Sequence, residues 1–297
     1  MPDPEPRLVL VTGASTGIGR AIAEHLSASG HHVIAGARKE SDLAALERLP
    51  EVTSVRLDVT RSEDVARLAA KIRDSGHGLY GLVNNAGIAS LSPLVETSID
   101  ELHRVLAVNL DGMHRMVCAL FPLIRESKGR IVNISSVGGI LTETFLGPYG
   151  ISKHAVEAYT EILREEVAAF GVQVSAVEPG PFRSEIVSNA VAFKGDRLRS
   201  EWENSIYRDV VLQALDSFTN TPEALHRSGL PKPTAVAEAV AHALFSPEPK
   251  ARYLVGDKDT VEAVIDRVLT ILRELNEKQP QTLTTSQLVT KLQKTLG

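Results

Sequence analysis

Leu8-Val-Leu-Val-Thr-Gly-Ala-Ser-Thr-Gly-Ile-Gly19 decides the fold. Leu8 to Val11 is a continuous apolar run of strand length. Without polar alternation, it reads as a strand buried on both faces, as in a parallel sheet. Glycines follow at 13, 17 and 19. Ile18, Ile22 and Leu26 then fall on one helical face, and Gly30 ends the helix. Glycine lets a backbone turn sharply and approach a pyrophosphate. The helix that starts there aims its free N–H groups and its dipole at the phosphates. The spacing Gly13-x-x-x-Gly17-x-Gly19 differs from the common Gly-x-Gly-x-x-Gly fingerprint. In isolation such a stretch is only a turn. Between an apolar strand and an amphipathic helix it is a nucleotide site, with Gly13, Ser15, Thr16, Gly17, Ile18 and Gly19 as contacts.

Outward from this point the chain keeps a strand–helix rhythm. Strands are expected at 32–37, 54–57, 81–83, 130–135, 173–177 and 253–255. Helices are expected at 41–49, from Ser62, from Ser98 toward Ile124, over 152–170, from Thr234 and over 260–275. Ser62 reads as a cap, and Ser98 with Glu101 as a capping box. The fold class is therefore α/β, a Rossmann-type doubly wound parallel sheet of about seven strands. We expect one domain over 1–278. Residues 182–233 break the rhythm and carry Phe193, Trp202, Tyr207 and Phe218. They read as an insertion that either covers the cleft as a substrate lid or packs on the core. Residues 279–297 are a polar extension with Leu288, Leu292 and Leu296 at helical spacing, either a frayed end or an oligomer contact.

The bulk properties exclude several classes. With 297 residues, 43% of them hydrophobic and 23% charged, the chain has ample material for a globular core. A net charge of -5 with scattered Lys and Arg argues against nucleic-acid binding. The single cysteine, Cys118, permits neither an intrachain disulfide nor a cysteine metal cluster, and the histidines show no ligand spacing. No metal is expected. Neither a signal core nor a run long enough to span a bilayer is present, so a cytoplasmic location is expected.

The tip of the second strand bears on cofactor choice. An acidic residue there would bind a ribose 2′-hydroxyl and repel a 2′-phosphate. This chain reads Gly36-Ala37-Arg38-Lys39, and a guanidinium suits a phosphate. The expected cofactor is NADP(H), with Arg38 as its main contact and Lys39 as a second. Asp58, after the third strand, either accepts a bond from the adenine amino group or caps a turn.

Tyr149-Gly-Ile-Ser-Lys153 supplies the chemistry. Four residues apart on a helix, tyrosine and lysine share one face. A free phenol titrates near ~10 and is a poor proton donor at neutrality. A neighbouring ammonium favours the phenolate and pulls that value down. Together with Thr12-Gly-x-x-x-Gly-Ile-Gly19, Asp58, Asn84-Asn-Ala-Gly87, Asn109, Ser136 and Pro179-Gly180, this stretch closely resembles the short-chain dehydrogenase/reductase family, in its short single-domain branch. The resemblance is strong over 7–181 and looser to 275.

What the resemblance implies fits the local chemistry. Tyr149 would be the general acid in carbonyl reduction and the base in alcohol oxidation. Lys153 would lower its pKa and bind the nicotinamide ribose. Ser136, thirteen residues before Tyr149 as the family's spacing requires, would orient the substrate oxygen; Ser135 alternates to the other side of the strand. Asn109 would hold a water linking the lysine to solvent. Asn85, Ala86 and Gly87 would lie beneath the adenine, and Pro179-Gly180 would turn the chain past the nicotinamide. Many relatives carry a threonine soon after Pro-Gly for the nicotinamide amide; here Ser184 is the residue left for that contact. The Ser136-Val-Gly-Gly139 and Glu178-Pro-Gly runs resemble the hydroxysteroid and retinol dehydrogenase side of the family, which implies a lipophilic ketone, aldehyde or alcohol. A homodimer or homotetramer is the family's usual state. The competing expectation is an NADP(H)-binding sensor or scaffold without turnover. Retention of both Tyr149 and Lys153 counts against it.

Overall fold

The computed structural model describes residues 6–186, 189–190, 196–210, 230–277 and 281–296. These residues form two compact units, divided between Gly256 and Asp257.

The first unit is built on a seven-stranded sheet, parallel throughout. Its strands are β1 (Leu8–Val11), β2 (His32–Ala37), β3 (Val52–Arg56), β4 (Gly81–Asn84), β5 (Arg130–Ile134), β6 (Gln173–Pro179) and β7 (Arg252–Val255), in spatial order 3-2-1-4-5-6-7. The order reverses between β1 and β4, which makes the crevice at their carboxyl ends the expected ligand site. Strand alternation splits the core in two. Val9 and Val11 face one layer with α1 (Gly17–Ala28) and the helix Thr234–Phe245. Leu10 and Leu82 face the other, with α3 (Ser62–Ser75) and α5 (Met113–Glu126).

The remaining helices of this unit are α2 (Glu40–Leu46), α4 (Ile99–Leu106), α6 (Gly147–Ala168), α7 (Asp196–Glu203) and α8, the helix Thr234–Phe245 just named. Three local expectations need correction. The helix predicted from Ser152 begins at Gly147, so Tyr149 lies inside its first turns. Pro148 near the start is compatible with a helix, because its missing N–H would have no partner there. Arg61, not Ser62, occupies the cap position of α3. The run from Ser98 toward Ile124 is interrupted by a π-turn at Ala107–Gly112. Ser98 does cap α4, its Oγ accepting from Glu101 N at 3.2 Å.

Within 182–233, α7 is present and Trp202 is buried, while Phe193 and Phe218 lie outside the described residues. The second unit holds α9 (Lys258–Asn276) and α10 (Thr285–Leu296). Two hydrogen bonds between Asn276 and Leu283 close the turn between them. Among the described residues no helix is long and apolar enough to cross a membrane.

Candidate active site

The glycine loop is locked by geometry. Gly13 and Gly17 have φ of +63° and +55°, where a side chain is strained. A Cβ on Gly13 would stand 2.8 Å from Ala86 Cα, and one on Gly19 would collide with the carbonyl of Gly13 and with Asn85. Asn85 Nδ2 donates to the carbonyls of Thr12 and Gly13 at 2.9 and 3.0 Å. Thr12 Oγ1 accepts from the N–H groups of Asn85 and Ala86, both at 3.0 Å. The loops after β1 and β4 are thus stitched into one floor at the sheet's switch point. Thr12 was not among the expected site residues. Its place at a strand end, one residue before the first glycine, was the available signal.

This cradle fits the pyrophosphate of a dinucleotide. The backbone is bare where a phosphate would approach, and α1 begins at Gly17 with its N–H groups free to bind an anion. Beside it lies a cavity of about 820 Å³ whose lining includes Gly17, Arg20, Glu24, Ser184, Glu185 and Lys232. Ser184 packs against the loop itself: a Cβ on Gly17 would be 3.1 Å from Ser184 Cβ. Arg38 and Lys39 are exposed beyond the tip of β2. Asp58 Oδ1 accepts from Thr60 N at 2.9 Å and Thr60 Oγ1 at 2.7 Å, so the turn-capping alternative is realised by that oxygen. Gly180 N donates to Val255 O at 2.7 Å, which fixes the chain's exit from β6.

The four expected catalytic residues converge. Ser136 sits at the start of a short 3-10 turn, Val137–Gly139, and its Oγ accepts from Gly138 N at 3.0 Å. The Ser136 hydroxyl also bears on the Tyr149 phenol, favouring its ionised form. Gly138 lies beside both, since a Cβ there would be 3.4 Å from Ser136 Oγ and 3.5 Å from Tyr149 Cε1. Lys153, one turn further along α6 and only 4% exposed, places Nζ 5.6 Å from the centre of the Tyr149 ring and donates to Ile134 O at 2.8 Å.

Asn109 lies in the π-turn, buried. Its Oδ1 accepts from Ile88 N at 2.8 Å, and its Nδ2 donates to Ile88 O and to Ser152 Oγ, both at 2.9 Å. Ser152 Oγ in turn donates to Tyr149 O at 2.7 Å. Ser152, absent from the expected set, therefore ties Asn109 to the turn carrying the tyrosine. Gly87 completes the group: a Cβ there would be 3.5 Å from Asn109 Oδ1 and 3.8 Å from Lys153 Nζ.

The electrostatics differ from expectation in one respect. Burial pushes the Tyr149 phenol above its ordinary value; the Ser136 hydrogen bond works against that rise, and Glu143 adds to it. Burial sets the direction of the shift in this geometry. Burial lowers Lys153 itself to about 8, opposed by the charge of Glu157. Desolvation dominates both groups because each would carry its charge away from water.

Apolar and aromatic side chains gather near the start of α6. Phe145, just before α6, has φ +68°, a strained value for a residue with a side chain, and its ring meets that of Tyr207 edge-on at 5.9 Å. Ile206 N donates to Glu96 Oε1 at 2.9 Å, which joins the segment after α7 to the loop before α4. Val95 and Ile206 are exposed. Among the described residues no group of acidic, histidine or cysteine side chains is placed to hold a metal.

Known proteins share this fold. A family model described as short chain dehydrogenase matches residues 7–195. The chain is 36% identical over 267 residues to the mitochondrial D-beta-hydroxybutyrate dehydrogenase of Bos taurus, covering 83% of this chain and 76% of that protein. It is 34% identical over 263 residues to 17-beta-hydroxysteroid dehydrogenase type 6 of Homo sapiens, covering 85% and 81%. Among solved structures it superposes on a short chain dehydrogenase/reductase from Burkholderia phymatum in complex with NAD. The TM-score is 0.77 at 27% identity, covering 95% of this chain and 100% of the other.

Proposed function

The chain belongs to the short-chain dehydrogenase family, and from that premise we propose that it uses NADP(H) to interconvert a lipophilic ketone or aldehyde with its alcohol. The observation that carries this reading is the convergence of Ser136, Tyr149 and Lys153 beside the cradle of Gly13, Gly17 and Gly19.

When bound, the nicotinamide gives or takes the hydride. The chain's own residues do the rest. Tyr149 donates its phenolic proton to the carbonyl oxygen during reduction and takes it back during oxidation. Ser136 Oγ accepts from Gly138 N, so its own O–H remains to be shared with Tyr149 and the substrate oxygen. Lys153 spends one of its three donors on Ile134 O. The others serve the cofactor's ribose and the water path toward solvent. The side chain of Asn109 braces that path through Ile88 and Ser152. Gly13 to Gly19 and α1 hold the pyrophosphate, with Ser184 closing over Gly17. Asn85, Ala86 and Gly87 underlie the adenine side. Pro179-Gly180 would flank the nicotinamide.

NADP(H) rests on Arg38, which stands exposed where a 2′-phosphate would arrive, with no acidic residue at the strand tip. The lipophilic substrate is supported by the aromatic pair of Tyr207 with Phe145, four residues before Tyr149 along the chain, and by the hydroxysteroid dehydrogenase relative. The expected lid at 182–233 belongs to the same reading, although 187–188, 191–195 and 211–229 lie outside the described residues, and the protein works as a homodimer or homotetramer. The test follows NADPH absorbance against steroid ketones, retinals and small ketones. Oxidation that grows with the apolar bulk of the carbonyl supports the proposal, and turnover of small polar ketones alone would reject the lipophilic pocket.

A further inference from the structure

One turn beyond Lys153, α6 carries Glu157, 7% exposed. Its Oε2 accepts from Arg252 Nη2 of β7 at 2.5 Å. Arg252 Nε also lies 2.9 Å from Oε1 of Glu178, on β6 and 2% exposed. That approach is close but lacks hydrogen-bond alignment. Glu178 Oε1, Glu157 Oε1 and the buried Ser135 Oγ have no hydrogen-bond partner among the described residues. Two carboxyl groups therefore share one guanidinium in a nearly closed space, an arrangement that favours a proton on one of them.

The cluster abuts the site. A Cβ placed on Gly139 would be 2.9 Å from Ser135 Oγ, 3.0 Å from Glu157 Cγ and 3.0 Å from Lys153 O. Glu157 thus packs against both the turn that carries Ser136 and the backbone of Lys153. Arg252 on β7 pairs with it and also approaches Glu178 on β6, and Lys153 lies one turn before it on its own helix. Lys153 in turn faces Tyr149 and the carbonyl of Ile134.

We propose that Glu157 is a positioning residue of the site: its carboxylate, pinned by Arg252, keeps the buried Lys153 cationic, while Glu178 carries the proton that lets both acids share one arginine. This deepens the reading of Tyr149 and Lys153 given above and rests on it. The direction of the local electrostatics agrees. Burial lowers Lys153, and the charge of Glu157 is what opposes it. Burial first, and Glu157 second, raise Glu178 to about 7, against the pull of Arg252. A lysine that loses its proton nearer neutrality can no longer favour the phenolate of Tyr149.

The experiment is a lysine 13Cε NMR titration of the cofactor-free protein, with the Lys153 signal assigned through Lys153→Met. Glu157→Gln is expected to lower the Lys153 midpoint by about half a unit or more, roughly a threefold loss in proton affinity. The alkaline limb of kcat/KM against pH should move down with it. Glu178→Gln keeps the shape and the Glu157 carboxylate, which is the charge that opposes the lowering of Lys153, so the midpoint should stay or fall far less. An unmoved midpoint in folded Glu157→Gln overturns the proposal. So does an equal fall in Glu178→Gln, which would mark a packing effect and also serves if Glu157→Gln does not fold. The titration needs no turnover, so a protein inert toward every carbonyl would reject the earlier reading separately.

Discussion

At the scale of single residues, the reactive set was legible because its chemistry demands particular side chains at particular spacings. Tyr149 and Lys153 had to share a helical face, and they do. The sign of the phenol's shift was not legible. It depends on how much water the fold removes, and burial is the largest cause here. Glu157 and Arg252 were equally invisible, since 95 residues separate them in the chain and only the β6–β7 pairing brings them together. Arg38 supports the sharpest prediction at this scale. A charge-assisted hydrogen bond to phosphate contributes about 1.5–3 kcal/mol. Arg38→Asp should therefore lower the ratio of kcat/KM for NADPH over NADH by about tenfold or more. An unchanged ratio would remove the phosphate role.

At the scale of elements, strands were readable because buried parallel strands are continuous apolar runs, and β1, β2 and β5 fall where such runs lie. Helix starts were harder. Gly147-Pro148 looks like a break, yet α6 begins there. The π-turn around Asn109 had no sequence mark, because its extra residue is stabilised by contacts from Ile88 and Ser152 far along the chain. The seam between the loops after β1 and β4 is tight enough to predict a consequence. Gly19→Ala pushes a methyl into the carbonyl of Gly13 and the amide of Asn85. It should cost about 1–3 kcal/mol of stability, read by denaturant unfolding, and weaken NADPH binding in titration calorimetry. Wild-type values for both would show that the loop is looser than its hydrogen bonds imply.

For the whole molecule, fold class followed from rhythm alone, and the seven-stranded parallel sheet matches it. The order 3-2-1-4-5-6-7 then dictates that Gly13, Asn85, Ser136 and Gly180, which follow β1, β4, β5 and β6, all gather at one edge. Global stability carries a pH signature from the buried acid pair. Glu178 holds its proton up to about 7 when folded, against an ordinary 4.5. Between those values the native state keeps a proton that the unfolded chain releases, so stability falls as pH rises through the window and stays reduced above it. Melting temperatures measured from pH 4.5 to 8 should show this decline, and Glu178→Gln should flatten it. An identical slope in both proteins would mean that Glu178 ionises freely.

The central claim is that Tyr149 moves the proton at a carbonyl or alcohol oxygen. Its most direct test is the turnover of Tyr149→Phe, measured beside cofactor affinity in the same preparation. The account predicts kcat lower by about 10²–10⁴-fold with NADPH binding unchanged. Turnover within a few fold of the unaltered protein, at equal cofactor affinity, would contradict it.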